Sequence, residues 1–159
     1  MWFGHWLLGI IFYLAINMSI WAESDLEPTA SYGNKDAQSS SGWRLALLPP
    51  AILTCHALQH SYHAYLYRLR TTHSTYQLPS HPLFPNLLCP HYTCESLIYL
   101  FLSFLAAPTG RWVNWTLFCA FIFVAVNLGV TAIGTKEWYE QRFGAEKVRH
   151  RRRMVPWLW

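Results

Sequence analysis

Trp112-Val-Asn-Trp-Thr-Leu-Phe-Cys-Ala-Phe-Ile-Phe-Val-Ala-Val-Asn-Leu-Gly-Val-Thr-Ala-Ile133 decides the fold class of this 159-residue chain. No Asp, Glu, Lys or Arg interrupts it. At 1.5 Å per residue, such a run is long enough as a helix to cross a hydrocarbon core of about 30 Å. The sequence then turns basic: seven of the twelve Lys and Arg lie between Lys136 and Arg153. A basic run can mark a nucleic-acid surface, but one that follows an apolar segment directly reads better as the cytosolic flank of a membrane span. Composition agrees. Hydrophobic residues make up 53% and charged residues 13%, against about 25% charge in a soluble domain. Lipid is therefore the expected solvent, and no nucleic-acid partner is expected.

Working outward, Trp2 to Trp21 is a second, nearly uninterrupted apolar run, with Trp2, Trp6 and Trp21 near its ends where aromatic belts form. A signal peptide is the alternative, but no Lys or Arg precedes the run. Glu23 to Gly42 is polar and reads as a loop. Trp43 to Tyr67 is a further run, in which Pro49 and Pro50 should kink or delay the helix. Pro79, Pro82, Pro85 and Pro90 forbid a continuous helix through 71–90. His91 to Ala107 is a short apolar run, closed by the Pro108-Thr109-Gly110 turn signal. From Lys136 the sequence reads as an amphiphilic tail. The expected fold is all-α, a multi-pass membrane helical bundle of about four transmembrane helices. Residues 1–42 would form the first span and a polar non-cytosolic loop, and residues 43–159 one further domain. The loop over 22–42 holds four acids and one base, whereas Arg68, Arg70 and the tail are basic, so the 64–90 loop and the tail should face the cytosol.

Polar residues cluster on the Trp43–Tyr67 run and its flank. His56, Gln59, His60, His63, Tyr67 and Arg70 recur at three- and four-residue spacing, which is one face of a helix. Ionisable groups in a membrane usually face a cavity or a partner; a wet helix end at the interface would show the same pattern. His56-x3-His60-x2-His63 resembles one histidine box of membrane di-iron enzymes, but no second box accompanies it. Cys89, His91 and Cys94 lack a fourth ligand at zinc spacing. No metal site is assigned. Glu95, the one acid between Asp36 and Glu137, opens an apolar helix. A carboxylate there suits the helix dipole or a ligand at the membrane edge equally well. Neither G-x-G-x-x-G nor a P-loop is present, so a bound nucleotide would be held by side chains.

Several of these stretches together resemble one family. They are Leu58-Gln-His-Ser-Tyr-His-Ala-Tyr-Leu-Tyr-Arg-Leu-Arg70, Tyr76-Gln-Leu-Pro79, Cys89-Pro-His-Tyr-Thr-Cys-Glu95, Lys136-Glu-Trp-Tyr139 and Lys147-Val-Arg149, with the ending Val155-Pro-Trp-Leu-Trp159. The combination resembles the cofactor-binding half of the steroid 5-alpha-reductase family. His5-Trp-Leu-Leu-Gly9 points to its polyprenol (polyprenal) reductase branch. The resemblance implies an NADPH-dependent reductase of the endoplasmic reticulum membrane, with its cofactor site facing the cytosol. Its substrate would be a long-chain polyprenyl lipid, whose alpha-isoprene double bond is reduced on the way to dolichol. It also implies that family members carry further spans upstream, so the chain is expected to be truncated relative to them. Carried over residue by residue, Gln59, His63, Arg70, Tyr76, His91, Glu95, Tyr139, Lys147 and Arg149 would bind the cofactor, and Glu95 and Tyr139 would be catalytic. Gly144-Ala-Glu146 replaces the family's aromatic-Pro, and Thr131 and Thr135 stand where basic residues or histidine are expected. A membrane methyltransferase using S-adenosylmethionine is the rival reading. Its R-H-P-x-Y signature is absent, since Arg151 follows His150. An inactive membrane subunit is the non-enzymatic alternative.

Overall fold

The computed structural model describes Met18, residues 35–108 and residues 110–155. Apart from Met18, the Trp2–Trp21 run lies outside the described residues. Four helices follow one another: α1 (Lys35–Thr72), α2 (Pro90–Leu105), α3 (Trp115–Phe143) and the single turn α4 (Ala145–Val148). Among the described residues no strand forms. Two isolated bridges, His81 with Phe84 and Leu87 with Arg152, are the only sheet-like pairings.

Two helices exceed their expected limits. Residues 35–42, expected within the polar loop, form the start of α1, which also runs through Pro49 and Pro50. The two prolines remove the N–H groups that would bond the carbonyls of Leu45 and Ala46. Polar side chains and neighbouring elements can offset such losses in membrane-type helices. Around the prolines the Thr54 hydroxyl donates to the Pro50 carbonyl at 2.7 Å and the buried Arg44 guanidinium to the Arg111 carbonyl at 2.8 Å; these tie the helix locally and to the α2–α3 turn without reaching the Leu45 or Ala46 carbonyls. At the other end of the chain, α3 continues past Ile133 to Phe143, through residues expected in the tail. No Gly or Pro interrupts it after Gly134, and the Lys136–Glu140 pair at 3.8 Å is an i,i+4 contact. Gly144, at φ 91° and ψ 138°, ends it in a conformation that only glycine adopts cheaply.

The start of α2 is as the sequence demands: Pro90 occupies the first turn, where its missing N–H is not needed. Asn114 then joins α2 to α3. Its backbone N–H donates to the Ser103 carbonyl at 2.8 Å, its side-chain amide donates to the Ala106 carbonyl at 3.3 Å, and its Oδ1 accepts from the Leu117 N–H at 3.0 Å. One buried side chain thus closes the C-terminal end of one helix and caps the next. α2 lies between α1 and α3 and touches both.

Among the described residues α3 is the one helix long and apolar enough to cross a membrane. It exposes Trp115, Ile122, Phe123, Val126 and Val130 along one side, while Leu117, Ala120, Val124 and Ala132 are buried. An unpartnered apolar stripe of that kind suits lipid. Of the three expected spans that fall among the described residues, α3 alone meets the test: α2 has 16 residues, and α1 carries its polar and histidine-rich turns.

The best-packed region sits beyond the apolar part of α3. Leu88, Cys89, Ala132, Val148 and Met154 form a buried cluster with Tyr92, Tyr139 and Phe143 packed against it. Backbone bonds hold it: Leu88 N–H to the Arg152 carbonyl at 3.0 Å, Cys89 N–H to Arg153 at 2.9 Å, and Arg152 N–H to Asn86 at 2.7 Å. Tyr62, 1% exposed, donates its hydroxyl to the Leu88 carbonyl at 2.8 Å and so pins α1 to this junction. Tyr62→Phe leaves that buried acceptor one donor short. It should lower stability by about 1–3 kcal/mol, seen as a lower unfolding midpoint in detergent, whereas Tyr67→Phe at an exposed position on the same helix should be neutral.

Candidate functional site

The face of α1 identified in the sequence carries the site. Gln59, His63, Leu66 and Arg70 follow at four-, three- and four-residue steps and share that face. Its two ends are about 16 Å apart by the helical rise, and a different cluster gathers at each.

At the C-terminal end, Leu66, Arg70, Tyr76, Gln77 and Tyr139 line a cleft of about 340 Å³. The Arg70 guanidinium lies 5.2 Å from the centre of the Tyr76 ring, and that of Arg142 lies 5.5 Å from it. Trp138 meets the same ring edge-on at 5.1 Å. Tyr76 is therefore held by cations and an indole from both α1 and α3. No carboxylate lines the cleft. Two guanidinium groups over an aromatic ring, with no acid to neutralise them, favour an anionic ligand that also presents a flat apolar surface.

At the other end, the Gln59 amide donates to Glu95 at 3.3 Å, joining α1 to α2. His63 meets His91 edge-on at 4.8 Å between ring centres, and His91 stacks on Tyr62 at 5.2 Å. His91 is 8% exposed, and its Nδ1 has no hydrogen-bond partner among the described residues. Buried polar atoms are seldom left unpaired, so this nitrogen is a candidate contact for a ligand.

The structure brings together seven of the nine residues singled out in the sequence. Gln59, His63, His91 and Glu95 form the inner cluster, and Arg70, Tyr76 and Tyr139 form the cleft. Lys147 and Arg149 are exposed, and neither lines the cleft. Arg151 is not among the residues carried over for the cofactor; in the sequence it reads only as one of the tail bases that could neutralise anionic lipid or a cofactor's phosphates. The stretch around Arg152 is extended and paired to 86–89, so its side chains alternate. Arg152 is exposed, while Arg151 and Arg153 are partly buried. The Arg151 Nη1 is buried without a partner among the described residues. The available signal was the alternation itself, had 151–153 been read as a strand rather than a charge run.

These features define a helical, membrane-type protein with a cation- and tyrosine-lined cleft beside its last long helix. Residues 27–159 match the family described as 3-oxo-5-alpha-steroid 4-dehydrogenase. The chain belongs to that family, the steroid 5-alpha-reductases. It is 32% identical over 106 residues to polyprenal reductase 2 of Oryza sativa subsp. japonica, covering 67% of this chain and 27% of that protein. It is 34% identical over 84 residues to polyprenal reductase 1 of Oryza sativa subsp. indica, covering 52% and 22%. The chain thus spans about a quarter of the length of the curated relatives it matches. No solved structure matches it.

Cys89, between the clusters and the tail, has no place in this chemistry. Burial raises its thiol from an ordinary 9.0 to about 12, against which a hydrogen bond with Thr135 acts in the opposite sense. A raised thiol pKa favours the folded state below pH 9, and that advantage fades as pH rises toward 12. At pH 8 only about one molecule in ten thousand would carry the thiolate. Cys89 should therefore resist N-ethylmaleimide at pH 8 while the protein is folded in mild detergent and become labelled once it is denatured; peptide mass mapping of the Cys89 peptide before and after denaturation shows the difference.

Proposed function

We propose that the chain is the cofactor-binding part of an NADPH-dependent reductase. It would act on the alpha-isoprene double bond of a long-chain polyprenal or polyprenol in the pathway to dolichol. On this reading it sits in the endoplasmic reticulum membrane as part of a multi-pass helical bundle, with its cleft open to the cytosol. The single observation that carries the reading is the convergence on one face of α1: the Arg70–Tyr76–Tyr139 cleft at one end, the Gln59–Glu95 and His63–His91 pairs at the other. Family membership and the similarity to polyprenal reductases support the reaction class.

The residues present fit the cofactor. Arg70 and Arg142 supply cationic donors around the Tyr76 ring, as a phosphate-bearing nucleoside requires. Arg151 offers a buried guanidinium N–H and His91 a buried ring nitrogen, both without partners among the described residues. NADPH, when bound, supplies the hydride. The chain's own residues position and polarise. Gln59 holds Glu95 in place, so that the carboxylate accepts a hydrogen bond in a fixed direction. Tyr139, packed on Phe143 at 5.9 Å between ring centres, presents its phenol at the cleft as a donor.

The test expresses the chain in membranes of a eukaryotic host lacking polyprenal reductase and measures the ratio of dolichol to polyprenol. Restored dolichol supports the proposal. Unchanged polyprenol, with the protein present in the membrane, counts against it for this chain. In an active preparation Glu95→Gln and Tyr139→Phe should each lower turnover by about a hundredfold, the scale for losing a positioned polar group at a reacting centre. Arg151→Gln should weaken NADPH binding by about tenfold or more, and Arg149→Gln, at an exposed position, by less than about threefold.

A further inference from the structure

A second cavity, of about 570 Å³, lies away from the cleft and shares no residue with it. Leu83, Phe84, Pro85 and Leu87 form its apolar lining, and Asn86, His150 and Arg152 its polar lining. It contains no acid. Its walls are joined by backbone, since Arg152 N–H donates to Asn86 at 2.7 Å and Leu88 N–H to Arg152 at 3.0 Å. The cavity therefore exists before anything binds.

Its depth relative to the membrane can be read from α3. The Lys136 ammonium donates to the Arg151 carbonyl at 3.0 Å, so the tail returns to the level of Lys136. Lys136 stands three residues past Ile133, the end of the apolar run, about 4.5 Å further along the helix. Arg152 and His150 thus stand at the boundary where hydrocarbon gives way to headgroups. Leu83 is 63% exposed at the same cavity. A soluble anion would gain nothing from that apolar side, and a nucleic acid has no use for the exposed Leu83 and half-buried Phe84 beside the cations. A lipid with an anionic head uses both halves.

We propose that this cavity binds an anionic phospholipid of the cytosolic leaflet. Arg152 and His150 contact the phosphate, Asn86 donates from the opposite wall, and Leu83 and Phe84 lie along the first part of the acyl chains. The head makes charge-assisted hydrogen bonds that a zwitterionic lipid, carrying its own cation beside the phosphate, makes less well. The site is independent of the reductase reading, because no residue of the cleft enters it.

The test uses the whole chain in dodecyl maltoside micelles, with phosphatidic acid or phosphatidylcholine titrated in and bound lipid counted by native mass spectrometry. Phosphatidic acid should bind at least about fivefold tighter than phosphatidylcholine, and Arg152→Ala should remove about that factor, the worth of one interfacial cation. Arg152→Ala should fold, because its side chain is exposed and its structural bonds are backbone; an unchanged unfolding midpoint checks this. Arg68→Ala removes an exposed cation that lines neither cavity and should leave lipid binding unchanged. Leu83→Asn, which removes apolar surface without adding charge, should weaken phosphatidic acid binding while leaving its charge contacts intact. Equal binding of the two lipids, or equal losses in Arg152→Ala and Arg68→Ala, overturns the proposal in favour of diffuse charge attraction. Displacement of the lipid by millimolar inorganic phosphate or by NADPH overturns it as well, since either would show an anion site with no lipid component.

Discussion

The pairing of 86–89 with 152–153 is the constraint on which the rest depends. An irregular segment beside a membrane must find partners for its backbone groups once it is buried, and here two such segments satisfy one another. Leu88 and Cys89 donate to Arg152 and Arg153, and Arg152 donates back to Asn86. The Tyr62 hydroxyl takes the Leu88 carbonyl, and the Thr93 hydroxyl takes that of Met154, so α1 and α2 are drawn into the same junction. This point closes one wall of the second cavity and brings Val148 and Met154 together with Ala132 in one buried cluster.

The opposite end of the molecule is solved by different means. There the α2–α3 turn is short, and Asn114 meets three backbone partners at once, while Arg44 reaches the Arg111 carbonyl from α1. Between these two polar clasps the helices offer mainly apolar side chains, and in lipid such surfaces have little reason to associate tightly. Specific hydrogen bonds at both ends therefore set how α1, α2 and α3 lie. The ring contacts of Tyr62, His63 and His91 across the α1–α2 interface follow from that fixed geometry.

What the sequence disclosed was local. The all-helical class, the helix-free connection before α2 and the face of α1 carrying Gln59, His63 and Arg70 all follow from composition, the prolines and a 3.6-residue period. What it concealed depends on distant partners. Pro49 and Pro50 look like an interruption because the propensity of an isolated chain says so, whereas α1 stays continuous with Thr54 and the Arg44–Arg111 contact beside the lost bonds. Lys136 to Phe143 looks like tail because it is polar, yet nothing in it breaks a helix before Gly144. Glu95 was ambiguous between a helix-end carboxylate and a site residue; its bond with Gln59, 36 positions away in sequence, draws it into the cluster.

The tail shows why a charge run cannot be read by spacing alone. Lys147, Arg149 and Arg151 are two apart and would share one side of a continuous strand. The α4 turn over 145–148 and the bend that follows break that relation, so the alternation starts only where the chain pairs with 86–89. Arg151 then turns inward, where its Nη1 is buried, and Arg152 outward to line the second cavity. Neighbouring cations of the same chemistry are thereby given separate surroundings by a few backbone hydrogen bonds. The glycine at 144 favours it, since its positive φ, costly for other residues, ends α3 and turns the chain toward α4 and the pairing with 86–89.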